Sequence, residues 1–197
     1  MTRRTTMIVV LGAAIAIIAG ACGGSAATGS AGPTSVPSVA LPSGGGDFAT
    51  SAKLEATLPT SVGGVALTTG SINVLQLYTT GNTAANILTL FGTGLGVPPS
   101  QIGVAGAADS GGKIQIIAAQ FSGVASTAIQ AQVEAVAKQV DSKVALANTT
   151  IGGKPVTTAT YPGSQTGPVV AYVTGDTLYL IQSSDPALVE DALKQLP

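Results

Sequence analysis

The sequence has no histidine and no tryptophan, and its 197 residues include one cysteine. Charged residues make up 9% of it and aromatic residues 4%. Each scarcity excludes something. Without histidine the commonest general base is missing. With the lone thiol at Cys22, no imidazole or thiolate set for zinc or copper can be assembled in the rest of the chain, so neither a metal nor a cofactor is expected. One cysteine also rules out an intrachain disulfide. Arginine occurs only at Arg3 and Arg4. Past them, six lysines face nine carboxylates, a net charge of −3. That balance argues against nucleic acid, whose binding needs clustered Lys and Arg, and against electrostatic docking to anionic lipid.

Long apolar runs are scarce too, and the one present is informative. Arg3 and Arg4 are followed by "MIVVLGAAIAIIAGA", Met7 to Ala21, with no charged side chain. A positive n-region before an apolar h-region is the layout of an export signal. The run is short for a membrane span, which takes about 20 apolar residues. It ends in Ala19-Gly20-Ala21, small residues whose backbone a peptidase can approach closely, and Cys22 follows at once.

Ala19-Gly20-Ala21-Cys22 resembles the lipobox of bacterial lipoproteins. The resemblance implies a diacylglyceryl group on the Cys22 thiol, cleavage between Ala21 and Cys22, and further acylation of the new amino group by chains such as palmitate. Many lipoboxes carry Leu where this one has Ala19. Ala19-Gly20-Ala21 also satisfies an A-x-A site, at which ordinary signal peptidase would cut the same bond and release a secreted product. Two or three acyl chains would hold the protein firmly, at about 0.8 kcal/mol per buried CH₂, whereas one chain binds only marginally.

The sequence thus divides into a signal over 1–21, a lipidated cysteine with a linker over 22–46, and one domain over 47–197. The linker "GGSAATGSAGPTSVPSVALPSGGG" has no charge and no aromatic, too little apolar surface to offset ordering entropy. Its random-coil reach is about 25–30 Å, stiffened locally at Pro33, Pro37 and Pro42.

The domain repeats itself. "TSVGGVALTT" (60–69) aligns without gaps to "TTIGGKPVTT" (149–158), each reading as strand, tight Gly-Gly turn, strand. Farther on, 102–119 and 168–183 read as β-hairpins, turned by Asp109-Ser110-Gly111-Gly112 and by Thr174-Gly175-Asp176. A helix follows each. Ile129, Val133, Val136 and Val140 make one apolar face over 125–140, with Glu134 and Lys138 spaced to pair. Over 185–196, Asp185 is a natural N-cap, Pro186 fits the first helical position, and Leu188, Ala192, Leu193 and Leu196 face inward. An insertion over 71–100 holds a helical stretch, "NTAANILTLFG", stopped by Gly92, Gly94 and Gly96; "INVLQLY" (72–78) fits strand or short helix equally. The expected fold is α+β: an antiparallel sheet of hairpins with helices on one face, internally duplicated with units of about 58–140 and 146–197.

Few residues suggest chemistry. "FGTGLGVPPS" (91–100) is glycine-rich, but it leaves a helix, and no lysine follows as in a phosphate loop. Asp109-Ser110-Gly111-Gly112 is explained by turn chemistry. Glu190 and Asp191 are adjacent and point apart on a helix. Asn148-Thr149-Thr150 matches a glycosylation sequon and reads here as strand. Tyr161, Tyr172 and Tyr179 are the candidate ligand-binding set, as a stacking platform for a sugar or lipid headgroup; cross-strand packing is the competing explanation. No catalytic residue stands out, and a non-enzymatic protein is expected.

The chain as a whole resembles small, uncharacterised bacterial lipoproteins that combine a lipobox, a low-complexity tether and a domain with "GG-x-x-[LV]-TT"-like strands and a closing "D-P-A-L-V-E-D-A-L"-like helix. The resemblance implies a membrane-anchored protein on the extracytoplasmic face. Two functions follow: an envelope interaction or structural module, with a protein partner, or a carrier of lipid or another small apolar ligand, similar to the lipid carriers of actinobacterial envelopes. A cavity lined by Ile116, Leu178 and Leu180 would favour the carrier.

Overall fold

The computed structural model describes residues 48–72, 83–164 and 166–197. Cys22, Ala21, the linker and most of "INVLQLY" lie outside the described residues. In chain order the elements are helix α1 (Phe48–Glu55), strands β1 (Ser61–Val62), β2 (Val65–Ala66) and β3 (Thr68–Ile72), helix α2 (Thr83–Leu95), strands β4 (Ile102–Ala108) and β5 (Ile114–Phe121), helix α3 (Ser126–Val140), strands β6 (Ala145–Ile151), β7 (Lys154–Thr160), β8 (Val169–Thr174) and β9 (Thr177–Ser183), and helix α4 (Pro186–Gln195).

The fold is α+β. Seven strands form one antiparallel sheet in the order β3-β4-β5-β9-β8-β7-β6, and β1 and β2 form a separate two-stranded hairpin. The helices occupy both faces of the sheet, not one. Alternation along the strands explains this. In β5, Ile114, Ile116 and Ala118 enter a core shared with Leu54 of α1, with Leu58 just past it, and with Leu188, Ala192 and Leu193 of α4. Ala119 and Phe121 enter the opposite core, with Leu88 and Phe91 of α2 and Ile129, Val133 and Val136 of α3. Strands apolar at both parities need a cover on each side.

α2 runs through Gly92 and Gly94 and ends at Gly96, which takes a φ of 68°. The two interior glycines allow close packing. A Cβ on Gly92 would lie 2.9 Å from the Val97 carbonyl oxygen, and one on Gly94 would lie 2.1 Å from the Gln132 side chain of α3. Gln132 Nε2 donates to the Leu90 carbonyl from there. In α3, Ala137 takes the last buried position and Val140 is 47% exposed. Glu134 and Lys138 do not close an ion pair; the pair among the described residues is Lys194–Glu190, at the same spacing in α4. Asp185 caps α4 as expected, accepting from the Ala187 N–H.

The repeat is visible in the hairpins. Val62 and Leu67 beside the first Gly-Gly turn, and Ile151 and Val156 beside the second, pack in the same core. The helices break it. α3, after the β4–β5 hairpin, and α4, after β8–β9, lie on opposite faces. A twofold axis relating antiparallel neighbours β5 and β9 keeps faces unchanged. Whole halves therefore do not superpose, and duplication of the entire unit is not supported.

Candidate functional site

Tyr172 and Tyr179 face one another across the β8–β9 pair, with ring centroids 6.0 Å apart and planes 23° from parallel. Their strand parity turns both toward α1 and α4. The Tyr179 hydroxyl lies 3.2 Å from Thr57 Oγ1, just past α1. The Tyr172 hydroxyl donates to the Pro197 carbonyl at 2.8 Å. The Lys154 ammonium sits 4.8 Å from the Tyr172 ring centre and donates to the Leu196 and Pro197 carbonyls. Tyr172 is 7% exposed and Tyr179 2%. Burial pushes the Tyr179 phenol above its ordinary pKa, against a smaller lowering by Thr57.

Tyr161 is elsewhere. It packs beside Ala137, Ala159 and Val169 on the α3 side of the sheet. Burial, then the Asp141 carboxylate, raises its phenol. The three tyrosines therefore do not form one platform. Two make a buried cross-strand pair with satisfied hydroxyls, and neither ring presents an open face for a ligand to stack on.

Ile116, Leu178 and Leu180 do not line one cavity. Ile116 lies in the α1/α4 core, whereas Leu178 and Leu180 point to the α2/α3 side. Ile116 and Leu178 are fully buried in packed clusters. A groove of about 350 Å³ does open at the end of α2, bounded by Gly92, Thr93, Gly96, Val97 and Pro98, so the glycine-rich stretch shapes a shallow apolar surface.

The carboxylates have local tasks. Asp109 accepts from the Gly111 and Ile114 N–H groups, closing its turn. Glu55 accepts from Thr69 and Ser71 on β3. Glu190 pairs with Lys194 at 2.7 Å and raises the lysine's pKa, through a hydrogen bond first and charge second. Asp191 turns away, accepting from the Gly63 N–H at 2.6 Å and from Gln195. Glu190 and Asp191 thus do not act on one point. Among the described residues, no group of three or more Asp, Glu, His or Cys could hold a metal.

Sequence reasoning missed the long-range polar links Thr57–Tyr179, Lys154–Tyr172 and Asp191–Gly63. The Gly63–Asp191 partners stand 128 residues apart, and no local pattern signals such a pairing. Comparison of the chain with protein-family models, curated proteins and solved structures returned no match.

Proposed function

We propose that the protein is an exported lipoprotein, anchored through Cys22 on the extracytoplasmic face of the cell membrane, whose domain is a non-enzymatic interaction module. The observation that carries the reading is the order Arg3-Arg4, apolar run, Ala19-Gly20-Ala21, Cys22, with an uncharged tether after it. No helix among the described residues is long and apolar enough to cross a membrane, so an anchor among them would not be a spanning helix. The module is favoured over the lipid carrier because the side chains that would line a carrier's cavity are divided between two packed cores.

The anchor is tested at the mature N-terminus. Mass spectrometry should find residue 22 as the first residue, bearing a diacylglyceryl group, and Cys22→Ala should abolish incorporation of labelled palmitate. An unmodified Cys22 on a protein recovered from the medium would sink the anchor and leave simple secretion. The carrier is tested separately: lipid that extracts from the folded protein without breaking a covalent bond would replace the module.

A further inference from the structure

β6 ends the sheet, and no described strand pairs with its outer side. It is long for an edge, Ala145–Ile151, and five of its seven residues are exposed. The ten residues 144–153 carry no charge and no proline. Natural edges are usually blunted by a charge, a proline, a bulge or a covering element, because open N–H and C=O groups invite another strand. The sequence repeat shows the contrast. Extending the gapless alignment by one residue sets Pro59 of the first copy against Asn148 of the second. The first copy's outer strand, β1, is only two residues long and stays out of the large sheet.

The backbone register says which groups are open. Ile151 and Lys154 flank a two-residue turn, so they form a hydrogen-bonded pair, and pairing alternates from there. Ala145, Ala147, Thr149 and Ile151 thus bond to β7. Leu146, Asn148 and Thr150 direct their N–H and C=O groups to the free edge. That set is symmetric about Asn148. A second copy laid antiparallel would place Asn148 opposite Asn148, Leu146 opposite Thr150, Ala147 opposite Thr149 and Ala145 opposite Ile151, with six backbone hydrogen bonds expected from three such pairs. No two charges meet along this seam, and like charges directly opposed would oppose pairing. Asn148 also fits the axis. Its Oδ1 accepts from Thr157 Oγ1 at 2.6 Å, Thr157 in turn accepts from Gln130, and in the paired copies the two Asn148 side chains would stand next to each other on one face of the joined sheet.

We infer that β6 is a self-association edge, at which two copies of this chain join their sheets antiparallel about a twofold axis at Asn148. The inference does not rest on the anchor at Cys22, because the pairing is the same in a tethered or a released protein. The occupant is a second copy because the open backbone groups and the uncharged strand 145–151 are self-complementary under one operator centred on Asn148.

The test uses two differently tagged copies of the full chain, produced together and recovered from membrane or medium. Wild-type copies should co-purify. Asn148→Lys with itself, and Asn148→Glu with itself, should lose co-purification about tenfold through like-charge opposition. Asn148→Lys with Asn148→Glu should recover it, which a merely misfolded variant would not do. In Asn148→Cys, mild oxidation should join the two substituted positions, identified as a peptide linking 148 to 148, since an opposed hydrogen-bonded pair has Cα atoms about 5.5 Å apart and within disulfide range. Wild-type copies that fail to co-purify, charge variants that behave as wild type, or a position-148 link to a different polypeptide would each overturn the proposal.

Discussion

Gly63 and Gly64 turn at φ of 55° and 77°, and Gly152 and Gly153 at 59° and 81°. The two turns, one in each half, have the same left-handed geometry, open to glycine at little cost. Both reach α4. A Cβ on Gly63 would lie 2.5 Å from Leu188 Cδ2, and one on Gly152 would lie 3.1 Å from the Glu190 carbonyl. A Cβ on Gly64 or Gly153 would meet nothing within 4 Å beyond its chain neighbours. The difference lies in what each turn leads to. The first closes a two-residue strand that stays out of the main sheet, whereas the second closes a seven-residue strand that extends it. Identical turn chemistry therefore fixes a hairpin locally and leaves its sheet position to the flanking residues. Pro59 in the first copy stands where the second has Asn148, within the uncharged strand "ALANTTI".

The largest expected effect comes from removing the support the two turns share. Leu193 is fully buried in α4, between the sheet and the second turn. Leu193→Ala should cost about 2–5 kcal/mol in urea unfolding, the usual range for a buried leucine. Amide exchange at both turns should accelerate together. Protection lost at one turn alone would show that α4 does not couple them.

Next come the glycines. Alanine at any of the four incurs the left-handed penalty of roughly 1–2 kcal/mol. Gly64→Ala and Gly153→Ala should agree within about 0.5 kcal/mol, because neither added methyl touches anything. Gly152→Ala should cost more than Gly153→Ala, since its neighbour is fixed helix backbone. Gly63→Ala should fall between them, because Leu188 can change rotamer. Chemical denaturation of the four variants decides it, and a clear gap between Gly64→Ala and Gly153→Ala would end the equivalence of the turns.

A smaller effect separates the halves. The Asp191 carboxylate accepts from the Gly63 N–H and not from the second turn. Asp191→Ala should cost about 0.5–1.5 kcal/mol, a typical net hydrogen-bond contribution. Exchange should speed up at Gly63 and stay unchanged at Gly152 and Gly153.

The hairpins were legible because their signals are local. Gly-Gly pairs, strand alternation, the Asp185-Pro186 helix start and the α4 apolar face all sit within a few residues of what they determine. The number of helical layers was not local. It depends on β4, β5 and β9 being apolar at both parities, which only a partner on each face can satisfy. Gly92 and Gly94 read as helix stops because the propensity cost is local, whereas the compensating contact with Gln132 lies across a helix–helix interface. The tyrosine set failed as a platform for a similar reason. Tyr172 and Tyr179 share a hairpin and so share a face, but Tyr161 follows β7 at the opposite parity.

That division of the tyrosines gives the smallest prediction. Tyr179 on one face and Tyr161 on the other both have phenols raised chiefly by burial, with Asp141 adding to the effect at Tyr161. A raised pKa means the folded protein holds the proton more tightly than the unfolded chain, whose tyrosines titrate near pH 10. The contribution of each group is therefore fully present below that pH and is lost as pH rises through the folded value. Unfolding free energy should be flat with respect to these groups at neutral pH and should fall in the alkaline range. Tyr179→Phe should reduce that alkaline slope while removing only the hydroxyl contact with Thr57 at neutral pH. Tyr161→Phe should reduce it independently, because the two rings lie in separate clusters on opposite faces. Urea unfolding as a function of pH, with phenolate absorbance followed in parallel, measures both. A double variant whose slope change differs from the sum of the single changes would show that the two faces of the sheet titrate as one unit.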